Sequence, residues 1–322
     1  MCYNFLRTQK TAEGCERKMK SKTNRKYYIM LFIVVIAWGC DPVINRRLYD
    51  YYSAAALSSL CTFVCALTFL FLARKKLHLL KDKKYLRAAL PICLFNSLAC
   101  ILQRIGLQYT SPARYAFLEH LSCAAVPLIL FFVFKRKPNA MQILASALCL
   151  VGCLILSGTG ALALSYSIGD ALCAAAGILL GFGIVCTAMC TRGLDITLFM
   201  ALHMCTYFLT SLSLAIAMNF IKIGGAPMEA FVFSLSPLTL IFAALFGLFT
   251  VGICWLLRNE ATRHVHPTAV AVIAPFSALI TAVISILQGM ERATPSFLIA
   301  CALILTSAVL AGLGEESPNE KS

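Results

Sequence analysis

The residues with the most chemical potential are ionisable groups set inside apolar sequence. Glu119 stands seven residues into one apolar run. On a helix that lies roughly 9 Å below the run's end. Arg104 stands six residues before the end of the preceding run, and a short turn at Ser111-Pro112 joins the two. Antiparallel helices would hold Arg104 and Glu119 at nearly the same depth. A charge there is costly unless it is paired or wetted. The spacing therefore predicts an Arg104–Glu119 interaction. It serves either as a binding or proton-linked pair at the outer side of a cavity, or as a tie between two helices. His120 follows about 100° round the helix and faces either the cavity or a packing hydrogen bond.

Polar residues recur at helical spacing elsewhere. Asn96, Cys100 and Gln103 share one face; Ser277, Thr281, Ser285 and Gln288 share another; His203, Thr206 and Thr210 a third. Such stripes either face water or bond to neighbouring helices. The third is expected to pack. Trp38 is a candidate wall for stacking a flat or cationic substrate, whereas Trp255, near a run's end, reads as an interfacial anchor. Asp41-Pro42 would kink or cap the first run. Arg258, Asn259, Glu260, Arg263 and His264 crowd what reads as a cytoplasmic turn, either a salt-bridged loop or an inner gate. Asp41, Arg258 and Glu260 are the gate candidates.

These groups need a scaffold that places charge inside an apolar bundle. The 322 residues are 60% apolar and 13% charged, against roughly 45–50% and 25% in soluble domains. The mean hydropathy is +0.82. That excludes a soluble enzyme, a disordered chain and a secreted disulfide scaffold. Apolar runs occupy residues 27–46, 52–73, 89–110, 113–134, 139–157, 168–188, 197–218, 238–257, 266–288 and 295–313. Each is long enough to cross a hydrocarbon core as a helix, and none alternates as a barrel strand would. The expected fold is an all-α polytopic membrane protein of ten transmembrane helices.

The net charge of +14 is distributed, not clustered for nucleic acid. With the N-terminus inside, cytoplasmic segments carry 22 Lys or Arg and the opposite segments 6. That asymmetry predicts both termini in the cytoplasm and attraction to anionic lipid. Residues 1–26 form a basic tail without an apolar core, unlike a cleaved signal peptide, and Met19 reads as an alternative start. Most of the 16 cysteines lie in apolar runs, with pairs four apart at Cys61/Cys65, Cys149/Cys153 and Cys186/Cys190. Lacking a zinc-type spacing, they read as packing residues. Gly177 and Gly181, followed by Gly183, fit close helix approach.

The chain also repeats itself. The block from Gln103 to Leu130 resembles that from Leu256 onward, and Pro112 and Pro267 occupy matching turns 155 residues apart. Residues 27–158 and 159–313 are the two units, followed by a tail at 314–322. An odd number of spans per unit inverts the second relative to the first, the arrangement that sets a substrate site between halves. Ala37-Trp38-Gly39, Tyr109-Thr110-Ser111, Gly169-Asp170, Pro275 and Gly289-Met290-Glu291 resemble the EamA family of the drug/metabolite transporter superfamily. The resemblance spans about residues 27–313. It implies a transporter of small metabolites whose cavity is lined mainly by the first, third, fourth, sixth, eighth and ninth helices. Two departures fall near that cavity. His120 replaces a proline whose second-repeat counterpart is Pro275, and Arg136 stands near the place of an absent acidic residue.

The expected substrate-binding set is Trp38, Asn96, Cys100, Gln103, Arg104, Glu119, His120, Ser277, Thr281 and Ser285. No HEXXH, paired-aspartate, Ser-His or P-loop motif is present, so neither catalysis nor a cofactor is expected. The function expected is secondary transport of amino acids or related metabolites across the plasma (inner) membrane by alternating access. The alternatives are a nucleotide-sugar or other metabolite carrier of the superfamily, or a non-transport scaffold. Expected partners are a small-molecule substrate and the bilayer, with a proton or other counter-ion and a homodimer left open, and no nucleic acid.

Overall fold

The computed structural model describes residues 25–109, 118–135, 137–156, 168–191, 193–220, 222–223, 226–227, 231–287 and 295–316. The basic tail with Met19, Thr110 to Pro112, Arg114, Arg136, Arg192, Gly289 to Glu291 and the last six residues lie outside them, as does the side chain of Ser285.

Helices fall on every apolar run: α1 (Arg25–Leu48), α2 (Ala54–Ala73), α3 (Lys83–Tyr109), α4 (Ser122–Phe132), α5 (Ala140–Leu156), α6 (Ile168–Cys190), α7 (Ile196–Phe220), α8 (Pro237–Gly247), α9 (Cys254–Thr262), α10 (Pro267–Ile273), α11 (Phe276–Leu287) and α12 (Pro295–Glu316). Among the described residues, five stretches are long and apolar enough to cross a membrane: Ala54–Lys81, Tyr85–Gly106, Ile168–Cys190, Ile196–Ala217 and Pro237–Thr262. Four shorter apolar stretches are Ser122–Phe132, Ala140–Ile155, Pro267–Thr281 and Leu298–Ser307. The only strands among the described residues are a two-residue hairpin, Lys222–Ile223 against Ala226–Pro227.

Local chemistry explains the helix ends and breaks. Ser58, Ser59 and Thr62 return their hydroxyls to carbonyls one turn back, at 2.6, 2.9 and 2.6 Å, so α2 carries them without orphaned donors. The His266 ring accepts from Thr268 N at 3.3 Å and Pro267 opens α10, a donor-free residue where no donor is needed. Pro275 then separates α10 from α11. The first repeat breaks at the same place without a proline. His120 and Leu121 form a turn before α4, and His120 lies 155 residues before Pro275. Six residues at Leu248–Ile253 form a π-helical turn that joins α8 to α9.

Packing respects an exchange of two five-segment halves, with α8–α9 and α10–α11 each counted as one segment. The contacts α3–α6 and α4–α6 have counterparts in α9–α1 and α11–α1, and α3–α7 has one in α8–α2. The pairs α2–α7 and α5–α12 map onto themselves. Glycines set the closest approaches. A side chain at Gly39 would meet Ile280 Cβ at 2.6 Å, and one at Gly169 would meet the Gly106 carbonyl at 2.6 Å. Gly177 and Gly181 abut Leu118 and Ala125, and Gly183 abuts Asn96, so α6 is drawn against both α3 and α4.

One large core joins α1 to α7 with α9 to α12. Buried cysteines fill it as small packing residues. Cys61 and Cys65 face the Ala243 and Gly247 carbonyls of α8 at 3.6 and 3.5 Å. The sulfurs of Cys123 and Cys149 lie 3.5 Å apart. Leu238, Ile241, Phe242 and Leu245 of α8 and Leu298, Ile299, Leu305 and Val309 of α12 point outward and exposed. Apolar surface of that extent suits lipid, not water.

Candidate functional site

The charged and aromatic groups converge where α1, α3, α7 and α9 meet. Within Ala37-Trp38-Gly39 each residue has a separate task. Ala37 packs with Val34 and Cys254, and Gly39 admits α11. Trp38 donates its indole N–H to the Thr250 carbonyl at 3.0 Å. Thr250 sits in the π turn, where the altered register leaves carbonyls open to outside partners. Thr281 of α11 donates to the Gly39 carbonyl at 2.7 Å, closing the same corner.

Trp255 is not an interfacial anchor. It is 7% exposed, with its ring centroid 5.8 Å from that of Trp38 and 4.8 Å from that of His203. Nor does Arg258 lie in a loop. It occupies the middle of α9 and is also only 7% exposed. Its guanidinium carbon lies 4.7 Å from the Trp255 ring centre and 5.9 Å from that of Trp38. The π faces offset part of the desolvation, by up to about 2 kcal/mol. Burying the ion costs several kcal/mol, so the indoles alone do not balance it. Among the described residues, no carboxylate lies within 4 Å and no acceptor takes a hydrogen bond from its N–H groups. Its electrostatic neighbours are Cys100 and Glu119.

Arg104 departs from expectation. No ion pair within 4 Å joins it to Glu119; its Nε instead donates to the Tyr207 hydroxyl at 3.4 Å, a long bond. The charges still share one region, since Arg104 and Glu119 both act on Asp41. Asp41 stands one turn beyond Trp38 on α1 and accepts from Asn45 Nδ2 at 2.6 Å. Tyr207 of α7, not Glu119, is the hydrogen-bond partner of Arg104. The site is thus a loose set of two cations, Arg104 and Arg258, and two acids, Asp41 and Glu119.

The polar stripes divide. On α3, Gln103 is buried with its Nε2 unbonded and Cys100 lies beside Tyr207, both at this site. Asn96, also buried without a hydrogen-bond partner for either side-chain polar atom, is wedged against Gly183 of α6. On α11, Ser277 and Thr281 spend their hydroxyls on the Ala274 and Gly39 carbonyls, so that stripe fastens helices together. On α7, Thr206 and Thr210 bond to carbonyls of their own helix, at 2.8 and 2.7 Å. His203 lies parallel to Tyr207 and edge-on to Trp255, with both ring nitrogens buried and lacking a hydrogen-bond partner among the described residues. His120 is buried beside the α4–α5 thiols, in electrostatic reach of Cys149. Glu260 does not join Arg258. It faces away, pairing with Arg263 at 3.1 Å and reaching His264 at 3.9 Å.

Trp255, Arg258, His203 and Tyr207 carried a legible signal. The repeat offset of 155 places Cys100 on Trp255 and Gln103 on Arg258, so the α3 stripe has an image on α9. His203 and Tyr207 stand four apart on one face of α7.

A separate apolar recess of about 570 Å³ is lined by Ile44, Leu48, Tyr51, Leu238 and Phe242, with Arg47 and Thr239. It lies at the far ends of α1 and α8 and lacks the charges of the central set, so its size does not make it the chemical site. Among the described residues no group of three or more His, Cys, Asp or Glu is arranged to hold a metal ion.

The EamA-like transporter family matches residues 25–158 and again residues 167–313. The chain belongs to this family. A solved protein crystal structure superposes with a TM-score of 0.69, covering 90% of this chain and 98% of its own; the 14% identity limits the likeness to the fold. Curated protein sequences gave no match. The chain is therefore a multi-pass membrane protein of a transporter family, and the two matched segments are the two halves whose contacts exchange.

Proposed function

We propose that the protein is a secondary transporter that moves amino acids or related small metabolites across the plasma (inner) membrane by alternating access. Ten crossings, two inverted units at 27–158 and 159–313 and both termini in the cytoplasm complete this reading. One observation carries it: two cations and two acids stand together between the halves, beside two indoles and an unbonded imidazole. A set of balanced charge suits a substrate with both a carboxylate and an ammonium group. It is also placed where rocking one half against the other would open it to alternate sides. Trp38, Cys100, Gln103, Arg104 and Glu119 are the proposed contacts from the sequence; Asp41, Arg258, Trp255, His203 and Tyr207 join them.

The test is flux. Purified protein in proteoliposomes is screened for uptake and efflux against amino acids, sugars, nucleotide sugars and organic cations. Saturable amino-acid flux above protein-free vesicles supports the reading. Flux of nucleotide sugars alone, or none for any class, overturns it. Reporter fusions after Ile168 and Ser322 should report opposite sides, with Ser322 inside.

A further inference from the structure

We propose that Arg258 is the carboxylate-binding residue of the central site, so that the substrate is a small carboxylate whose remaining bulk rests against Trp38 and Trp255. This deepens the transporter reading and rests on it.

The argument starts from donor accounting. A guanidinium carries five N–H donors, and a buried polar group without a partner is rare in folded proteins. Arg258 is more than nine-tenths buried, yet among the described residues none accepts from it. Trp255 and Trp38 approach it through their rings, at 4.7 and 5.9 Å, and an aromatic face takes up charge without using a planar N–H edge. The arginine is thus held on its faces and unused along its rim. That rim matches a carboxylate in bidentate geometry.

The neighbouring arginines show that the condition is local. Arg104 has Tyr207. Arg263, five residues along, binds Glu260 and the carbonyls of Thr191 and Leu194. Among the described residues, only Arg258 combines burial, aromatic walls and a guanidinium without an acceptor. The charge balance favours a carboxylate over a phosphate. By formal charge Asp41 and Glu119 balance the two arginines, and a phosphoryl group, carrying up to about two negative charges, would leave the set strongly negative. A carboxylate that also carries an ammonium group leaves it neutral.

The chain has two tryptophans, and both stand in this site. Intrinsic fluorescence therefore reports on it alone. The experiment titrates detergent-solubilised full-length protein with alanine, leucine, glutamate and lysine, each beside its α-amide, and with inorganic phosphate. For at least one pair the acid should change tryptophan emission along a saturating curve. Its amide should need at least about tenfold more, one step of 1.4 kcal/mol, and phosphate should act no better than the amide. Arg258→Gln should abolish the preference and Arg258→Lys should keep a weaker one. Thermal melting confirms that the variants fold, and the acid–amide comparison in the unmodified protein decides the question if they do not. Equal response to acid and amide, a response to phosphate alone, no response to any pair, or a preference that survives Arg258→Gln overturns the proposal. Carboxylate-selective binding without flux in proteoliposomes would remove the transporter reading and leave this site standing. Flux of a carboxylate-free substrate, insensitive to Arg258→Gln, would remove the site and leave the transporter.

Discussion

Arg258 and Arg263 stand five residues apart at the end of one helical segment, and both are 7% exposed. Arg263 is tied through both of its terminal nitrogens. Its Nη2 donates to the Thr191 and Leu194 carbonyls at 2.5 Å each, and its Nη1 meets Glu260 at 3.1 Å. It thereby ties the end of α9 to the connection between α6 and α7. Arg258 has aromatic faces and no acceptor among the described residues. Burial alone does not separate a structural cation from one that waits for a ligand; the accounting of N–H donors does. Five residues along a helix is about 500° of turn, so the two side chains leave on different faces and meet different surroundings.

The largest effect expected is on Arg263. Arg263→Ala removes a donor from the Thr191 and Leu194 carbonyls and the cation from Glu260 and leaves a cavity, a loss on the order of 3–5 kcal/mol. The melting temperature in detergent should fall by roughly 10 °C, at 2–4 °C for each kcal/mol in a chain of this size, and expression with it. An Arg263→Ala protein that melts like the unmodified one would mean that bonds to acceptors do not mark a structural role.

Arg258 should behave in the opposite way. Arg258→Leu removes a buried ion and fills its place with apolar bulk, so the melting temperature should hold or rise. Substrate affinity should fall by on the order of 30-fold or more, because truncating a buried charge-assisted pair costs about 2–5 kcal/mol. Melting and flux measured on the same preparation decide it. A large loss of stability with substrate affinity unchanged would place Arg258 beside Arg263 as a staple.

Arg104 lies between these two cases, with one long bond to Tyr207. Tyr207→Phe removes that bond and should cost about 1 kcal/mol or less in stability. If flux falls more than about fivefold while melting barely moves, Arg104 works with Arg258 at the site. If melting falls and flux follows in proportion, the bond is a tie between α3 and α7.

How much of this was legible in the sequence follows the same division. The apolar runs, the repeat and the family motifs are local patterns, and helices stand on all ten runs. The breaks at Leu248–Ile253 and around Pro275 fall inside runs whose apolar character is continuous, so periodicity alone does not reveal them. Glu119 and Arg104 were legible as charges of interest because charge within apolar sequence is itself a signal; both are half-buried. Their direct pairing was not, because it depended on which third helix approached, and the sequence spacing carries nothing about Tyr207. Trp255 and Arg258 were misplaced for one reason. They sit close to a run of polar residues, and composition alone reads such a run as a loop, whereas α9 continues to Thr262. The polar stripe on α11 failed for a different reason. Hydroxyls can satisfy themselves on carbonyls of their own or a neighbouring helix, as Ser277 and Thr281 do, so a stripe by itself does not mark water.

The smallest effect expected tests the comparison at a site outside the spans. Asp195 Oδ1 accepts from Leu198 N at 3.1 Å at the start of α7, and its Oδ2 meets Lys76 Nζ at 2.6 Å. Partial burial pushes the carboxyl up, but the Lys76 hydrogen bond and charge and the backbone N–H groups outweigh it, so the group sits below its usual value. A folded-state value below the unfolded one, about 3.9, means that the stabilisation is complete above the unfolded value. It is lost as pH falls through the folded value. Asp195→Asn keeps a side-chain oxygen able to cap α7 and removes only the charge. Because Lys76 is 45% exposed, the ion pair is screened, and the loss should be about 0.5 kcal/mol. Asp195→Ala removes the cap as well and should lose about 1 kcal/mol more. Melts at pH 7 should show both gaps; as pH falls below about 4 the gap between aspartate and asparagine should close, while that between asparagine and alanine persists. A charge gap that stays constant down to pH 3, or an Asn variant as damaged as the Ala variant, would contradict this ordering. Asp195 is an anion tied through both oxygens, as Arg263 is tied through both terminal nitrogens, yet its exposure keeps the consequence near the limit of measurement: such ties mark a structural role while burial sets its size.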